Sequence, residues 1–236
     1  MDGFSYNNIF ETKGTEYLII IAFLLLIIPF WIIINRQARV TRRLNKAPGI
    51  LSAAILRIPL GVFFSRNHTW AHLEKSGIAR VGLDDLLLHL TGAVRFNSIK
   101  NTGEIVKKGD LMAEIDHEGK ILKIFSPVSG EIADINAMLD ENPEMLNEDP
   151  YGKGWIYRIR PAEWVAETKS FLLAEEAIAW SKRELERFRD FLAVSVQKYS
   201  PGIPMVVLQD GGEMCDHPLS ELPGEVWQDF QKSFLN

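Results

Sequence analysis

Two groups of residues carry the side chains that most often do chemistry. His68 and His72 stand four positions apart, and Cys215-Asp216-His217 strings three metal-ligand types together. Neither reads as a metal site. The histidine segment has strand-like composition and lacks the glutamate of a zinc-protease motif, and the Cys-Asp-His triplet has no second cluster to complete the four ligands of a closed zinc site. No glycine-rich phosphate loop and no nucleophile elbow is present, so no catalytic residue is nominated. A third group lies at Asp116-His117-Glu118-Gly119-Lys120. Glu118-Gly119 reads as a tight turn, because glycine supplies the positive φ such turns need. Glu114, Asp116 and Glu118 alternate as a solvated strand face would.

The elements that must position these residues differ along the chain. The 236 residues carry a formal charge of −5 and are 47% hydrophobic, with no basic stripe of the kind nucleic acid selects. The one cysteine excludes an internal disulfide. Tyr17 to Ile34 reads YLIIIAFLLLIIPFWIII, eighteen residues without a charge. As a helix it would rise roughly 27 Å, close to the hydrocarbon thickness of a bilayer. Lys13 alone precedes it, whereas Arg36, Arg39, Arg42, Arg43 and Lys46 follow. A signal peptide has the reverse order. The expectation is a short tail over 1–16, a single transmembrane helix over 17–35 in an inner membrane, and everything beyond it in the cytoplasm. A basic and apolar juxtamembrane linker is expected over 36–63. Arg57, Pro59 and Gly61 argue against a second span there and favour an interfacial segment or a linker covering the globular domain.

From Phe64 to Pro161 the pattern changes to short β-rich runs separated by glycine and proline turns, which predicts a compact all-β barrel or sandwich. Val106-Lys107-Lys108-Gly109-Asp110 before LMAEI is echoed by Ser126-Pro127-Val128-Ser129-Gly130 before EIADI. This two-half plan resembles the lipoyl and biotinyl domains. Within them, Asn67-His68-Thr69-Trp70, the strand over Gly77 to Leu83, the Ser-Pro-Val-Ser-Gly run and the stretch AMLDENPEMLNEDPYGKGW from Ala137 to Trp155 resemble the H protein of the glycine cleavage system. The resemblance implies a mainly β fold: a lipoyl-type barrel-sandwich hybrid domain over 64–161, preceded by the transmembrane helix.

In that family one lysine at the tip of the central hairpin bears lipoate and carries an aminomethyl group between partner enzymes. It lies seven residues before the serine of Ser-Pro-x-Ser-Gly, and that register falls on Gly119, with Asp116 at the position of the family's glutamate. Lys120 comes one residue late. It is either a displaced lipoylation site or a solvated strand residue like Lys123. A one-residue slip turns a strand side chain to the opposite face, so the two positions are not equivalent. The expectation is therefore that lipoate is absent, with Lys120 the one candidate attachment site.

Residues 162–236 go beyond an ordinary H protein and read as a helical extension. Leu185, Phe188, Leu192 and Val196 share one face of a helix ending before Pro201, and MVVLQDGG suggests a strand and turn. A last helix begins at Pro223 and aligns Val226, Phe230 and Phe234, with Trp227 beside them. These faces either pack on the β domain or dock a partner subunit. Three functions follow. The first is a non-enzymatic accessory or scaffold subunit, membrane-anchored and not lipoylated, docking with a metabolic or redox complex. The second is a lipoyl carrier using Lys120. The third is an efflux or secretion adaptor, which would carry a long helical hairpin in place of the few-residue turn seen here. No small-molecule substrate is identifiable.

Overall fold

The computed structural model describes residues 17–27, 30, 51–199, 208–209 and 213–236. The chain divides into two compact units, Met1–Ala47 and Pro48–Asn236. In the first, residues 17–27 form a helix, α1, whose side chains are exposed. Among the described residues no helix is long and apolar enough to cross a membrane. The expected tail 1–16, most of the expected span beyond residue 27 and the basic stretch Arg36 to Lys46 lie outside the described residues.

The second unit begins with β1 (Phe63–Phe64), β2 (Thr69–Leu73) and β3 (Ala79–Leu83), then the short helix α2 (Asp85–Thr91). Next come β4 (Arg95–Ser98), β5 (Ile105–Val106), the hairpin β6 (Leu111–His117) and β7 (Lys120–Phe125), and β8 (Gly130–Ile135). Two single-turn helices, α3 (Met138–Glu141) and α4 (Met145–Glu148), lead into β9 (Trp155–Pro161). All strand pairs are antiparallel; one sheet runs β1-β2-β3-β9-β8-β5 and the other β4-β6-β7. Alternation sets the faces: in β7, Leu122 and Ile124 point into the core while Ile121 and Lys123 point out. The mainly β lipoyl-type domain expected from the sequence is present.

Two glycines are fixed by close approach. A Cβ on Gly82 would lie 2.6 Å from the ring of buried Trp70, and one on Gly130 would collide with the carbonyl of Arg160 on the neighbouring strand. The glycine of Ser-Pro-Val-Ser-Gly is thus a packing requirement of the β8–β9 pair.

Beyond β9 lie α5 (Trp164–Glu167), the long α6 (Ala174–Tyr199), a small ladder of β10 (Leu208–Gln209) with β11 (Glu213–Met214), and α7 (Gly224–Phe230), which runs on as a π-helical turn over Gln231–Leu235. Pro223 caps α7, as its fixed φ favours. Leu185, Phe188, Leu192 and Val196 of α6 and Val226, Trp227, Phe230 and Phe234 are all buried in the same core as the β strands. Of the two uses weighed for these faces, internal packing is the one observed. The boundary of the linker also moves. From Leu51 onward the expected linker belongs to the compact unit: Leu51 is fully buried and its amide donates to the Met214 carbonyl at 2.7 Å. Arg57, whose charge disfavours a membrane span, is satisfied instead by Asp85 and by the carbonyls of Asn147 and Glu148.

Candidate functional site

The hairpin tip is built by strand pairing. His117 and Lys120 form the closing pair of β6 and β7, leaving a two-residue loop. Glu118 has φ 53° and Gly119 φ 86°, the double positive φ of a type I′ turn. Asp116 steadies it by accepting the Gly119 amide at 2.7 Å. Gly119 is exposed, and a Cβ there would meet nothing within 4 Å. On one flank an open cleft of about 580 Å³ is lined by Ala93, Arg95, Asp116, Glu118 and Glu144 among others.

Lys120 faces elsewhere. Its half-buried side chain runs under the C-terminal extension, where Nζ donates to the Ser220 carbonyl at 2.6 Å and lies 5.7 Å from the Trp227 ring. Trp227 also stacks on His117, with ring centres 5.7 Å apart and planes 13° from parallel, and its indole N–H donates to the Leu219 carbonyl. Three positions further along β7, exposed Lys123 has both backbone groups taken: its N–H donates to Gln231 Oε1 at 2.7 Å and its carbonyl accepts from Gln231 Nε2 at 3.3 Å. Nothing in the sequence linked Ser220, Trp227 or Gln231 to the hairpin; only the apolar face of α7 was legible.

The histidine pair does not assemble. His72 Nδ1 lies 3.1 Å from the Gly61 carbonyl, whereas His68 is fully buried at φ 57°. His68 Nδ1 is 2.8 Å from Asp84 and Nε2 is 3.6 Å from Glu184 of α6, with Trp180 packed at 5.1 Å. Burial alone would lower the pKa of this imidazole, but the charge and hydrogen bond of Asp84 and the nearby Glu184 carboxylate raise it to about 9. Burial pushes the Glu184 carboxyl up, and His68 and Arg187 more than reverse this, holding it below the usual range. The arrangement is an ion triad that ties α6 to the start of β2 and to the residue that caps α2. In the C-terminal triplet, Asp216 lies 2.7 Å from His89, and His217 stacks on the same ring. Burial lowers the His89 pKa and Asp216 and Asp85 raise it, for a net value of about 9. Among the described residues no group of three or more His, Cys, Asp or Glu could hold a metal ion.

The loop from Asn136 to Trp155 gives its signature residues structural roles. Asn136 Nδ2 donates to the carbonyls of Lys153 and Trp155, and Asn147 Nδ2 to those of Leu88 and Gly92 at the end of α2. The Tyr151 hydroxyl accepts the Asp85 amide at 3.0 Å. A Cβ on Gly154 would lie 2.6 Å from the Met145 carbonyl. A family model described as glycine cleavage H-protein matches residues 62–184 of this sequence. The chain belongs to the glycine cleavage H-protein family. The match runs past Pro161 into α6, further than the β domain alone. A probable glycine cleavage system H protein of Pyrococcus horikoshii is 31% identical over 126 residues, covering 53% of this chain and 93% of the relative. The glycine cleavage system H protein of Thermus thermophilus is 35% identical over 106 residues, 45% of this chain and 82% of that one. Among solved structures, an H protein of Mycobacterium marinum shares 26% identity over 44% of this chain and 87% of that chain, with a TM-score of 0.42. In this hairpin Gly119 stands in the turn and the Lys120 amine donates to the Ser220 carbonyl.

Proposed function

We propose that this protein is an H-protein-type docking subunit, non-enzymatic and not lipoylated, held at a cytoplasmic membrane face beside a multienzyme complex. The observation that carries the reading is the hairpin tip. An acyl carrier needs a lysine amine standing free in solvent, where a ligase can reach it and the loaded arm can swing. Here the apex residue is Gly119, and the nearest amine donates to a carbonyl of the same chain. These residues do not fit lipoate attachment as they stand, so no transfer step is assigned to them. The membrane tether rests on the charge-free run from Tyr17 to Ile34 and the five basic residues after it. A C-terminal alkaline phosphatase fusion should stay in the cytoplasm and be inactive; one active in the periplasm would reverse the orientation.

A second reading is a working lipoyl carrier using Lys120. The relatives favour it, since those compared are H proteins by name. Intact mass of the natively expressed chain separates the two, because a lipoyl group adds about 188 Da. The docking reading expects the bare mass even after incubation with lipoate, ATP and a lipoyl ligase. Lipoyl-Lys120 in a digest would replace it with the carrier.

A further inference from the structure

The stretch from Leu51 to β1 is tied to the compact unit on one side and left open on the other. Leu51 and Leu56 pack inward on the main core, and Ile58 on the cluster of Val62, Phe64 and Trp70. Arg57 holds the stretch in place. Its backbone N–H and guanidinium both donate to Asp85, and the guanidinium also reaches the Asn147 and Glu148 carbonyls. Ala54, Ile55 and Leu60 turn outward. Ile55 is 42% exposed and Leu60, on the turn before β1, is 82% exposed. Half-exposed Leu73 joins them, because the β1–β2 register carried two residues past Phe63 sets it opposite Gly61. His72 Nδ1, 3.1 Å from the Gly61 carbonyl, fits that pairing. From Ala47 to Ser65 the one charged side chain is Arg57, so the stretch carries no carboxylate to repel an anionic surface.

We propose that residues 54–60, with Leu73 beside them, form a second, peripheral contact with the bilayer, their aliphatic side chains entering the boundary between headgroups and acyl chains. The inference rests on the reading of 17–34 as a tether and adds which face of the compact unit meets the lipid. Chain length carries it. Lys46 is the last of the five basic residues drawn to anionic headgroups, and it precedes Leu51 by a reach of at most about 18 Å when fully extended. Among the described residues of the unit, Ile55 and Leu60 are the exposed large aliphatic side chains nearest along the chain to that anchor. A bilayer also suits so small a group. A protein interface takes roughly 20 residues a side and a matched shape. The lipid boundary takes aliphatic side chains without shape matching.

The test uses the unaltered full chain in vesicles of phosphatidylcholine and phosphatidylglycerol, doped with a phosphatidylcholine that carries a diazirine in its acyl chain near the ester. Irradiation marks the side chains that touch lipid, and peptide mass spectrometry locates the adducts. Ile105 and Val165 are the controls, being comparably exposed aliphatic residues elsewhere on the unit. Adducts on 54–60 should exceed theirs at least about fivefold, since only side chains at the boundary meet the acyl chains. Replacing both outward residues, Ile55→Asn with Leu60→Asn, should lower the 54–60 signal several-fold and leave adducts over 17–34 unchanged. Equal marking of 54–60 and the controls overturns the inference, and so does a 54–60 signal that the folded double variant leaves unmoved. Should that variant fail to fold, the comparison within the unaltered chain still decides. Adducts over 17–34 alone would keep the tether and defeat this contact; adducts on 54–60 without any over 17–34 would defeat the tether and keep the contact.

Discussion

The loop Asn136–Trp155 and the hairpin tip Asp116–Lys120 belong to one domain and obey different constraints. In the loop each signature side chain has a local physical reason to be there: Asn136 and Asn147 each satisfy two carbonyls, and Gly154 admits the Met145 carbonyl. At the tip nothing crowds position 119, and the turn closes with any residue that accepts a positive φ. A lysine there would serve chemistry only. A chain in this family can therefore keep its whole scaffold while the residue at the tip changes, and a match to the scaffold speaks for the fold more strongly than for the carrier function.

Substitutions can break that comparison or sharpen it. The largest expected effect is at the scaffold: Gly130→Ala drives a methyl into the Arg160 backbone and should destabilise the unit by about 3 kcal/mol in urea unfolding. Asn136→Ala leaves the carbonyls of Lys153 and Trp155 without their donor and should cost about 2 kcal/mol by the same measurement. If either change proves neutral, the loop is as permissive as the tip and the contrast fails. Alkali tests whether the extension is held as firmly as the loop. His68 and His89 have folded pKa values of about 9 against 6.5 when free. Their contribution is complete below pH 6.5 and is lost as pH rises through about 9, so the melting temperature should fall across that window. A melting temperature that stays flat or climbs over this range would show that the triad does not bind α6. The smallest effect on stability belongs to the tip. Gly119→Lys places a side chain at positive φ for about 1 kcal/mol, yet it should make the protein a substrate for lipoyl ligase, read as a gain of about 188 Da. A tip variant as costly as Gly130→Ala would end the comparison.

Local features were legible in the sequence. Glu118-Gly119 forms the expected turn, the Leu185–Val196 face of α6 is buried, and α7 starts after Pro223. Each depends on spacing within one element, and periodicity and turn chemistry report on that scale. Contacts between distant segments left no such trace. Lys120 and Ser220 are 100 positions apart, and His68 reads as half of a histidine pair because Glu184, its partner on α6, lies far along the chain. The stretch from Leu51 shows the same limit: an arginine among apolar residues argues against a membrane span and for a linker covering the globular domain, and only the fold supplies its partner Asp85.

The position of Gln231 has a consequence for how copies of this protein behave side by side. β7 is the outermost strand of its sheet, and an outermost strand with open amides and carbonyls can recruit a strand from a neighbouring chain. With Ile121 half exposed, such growth would begin readily here. One glutamine amide, by occupying both backbone groups of Lys123, removes the register on which chain-to-chain aggregation would start. A strand from a neighbouring chain finds that position already filled.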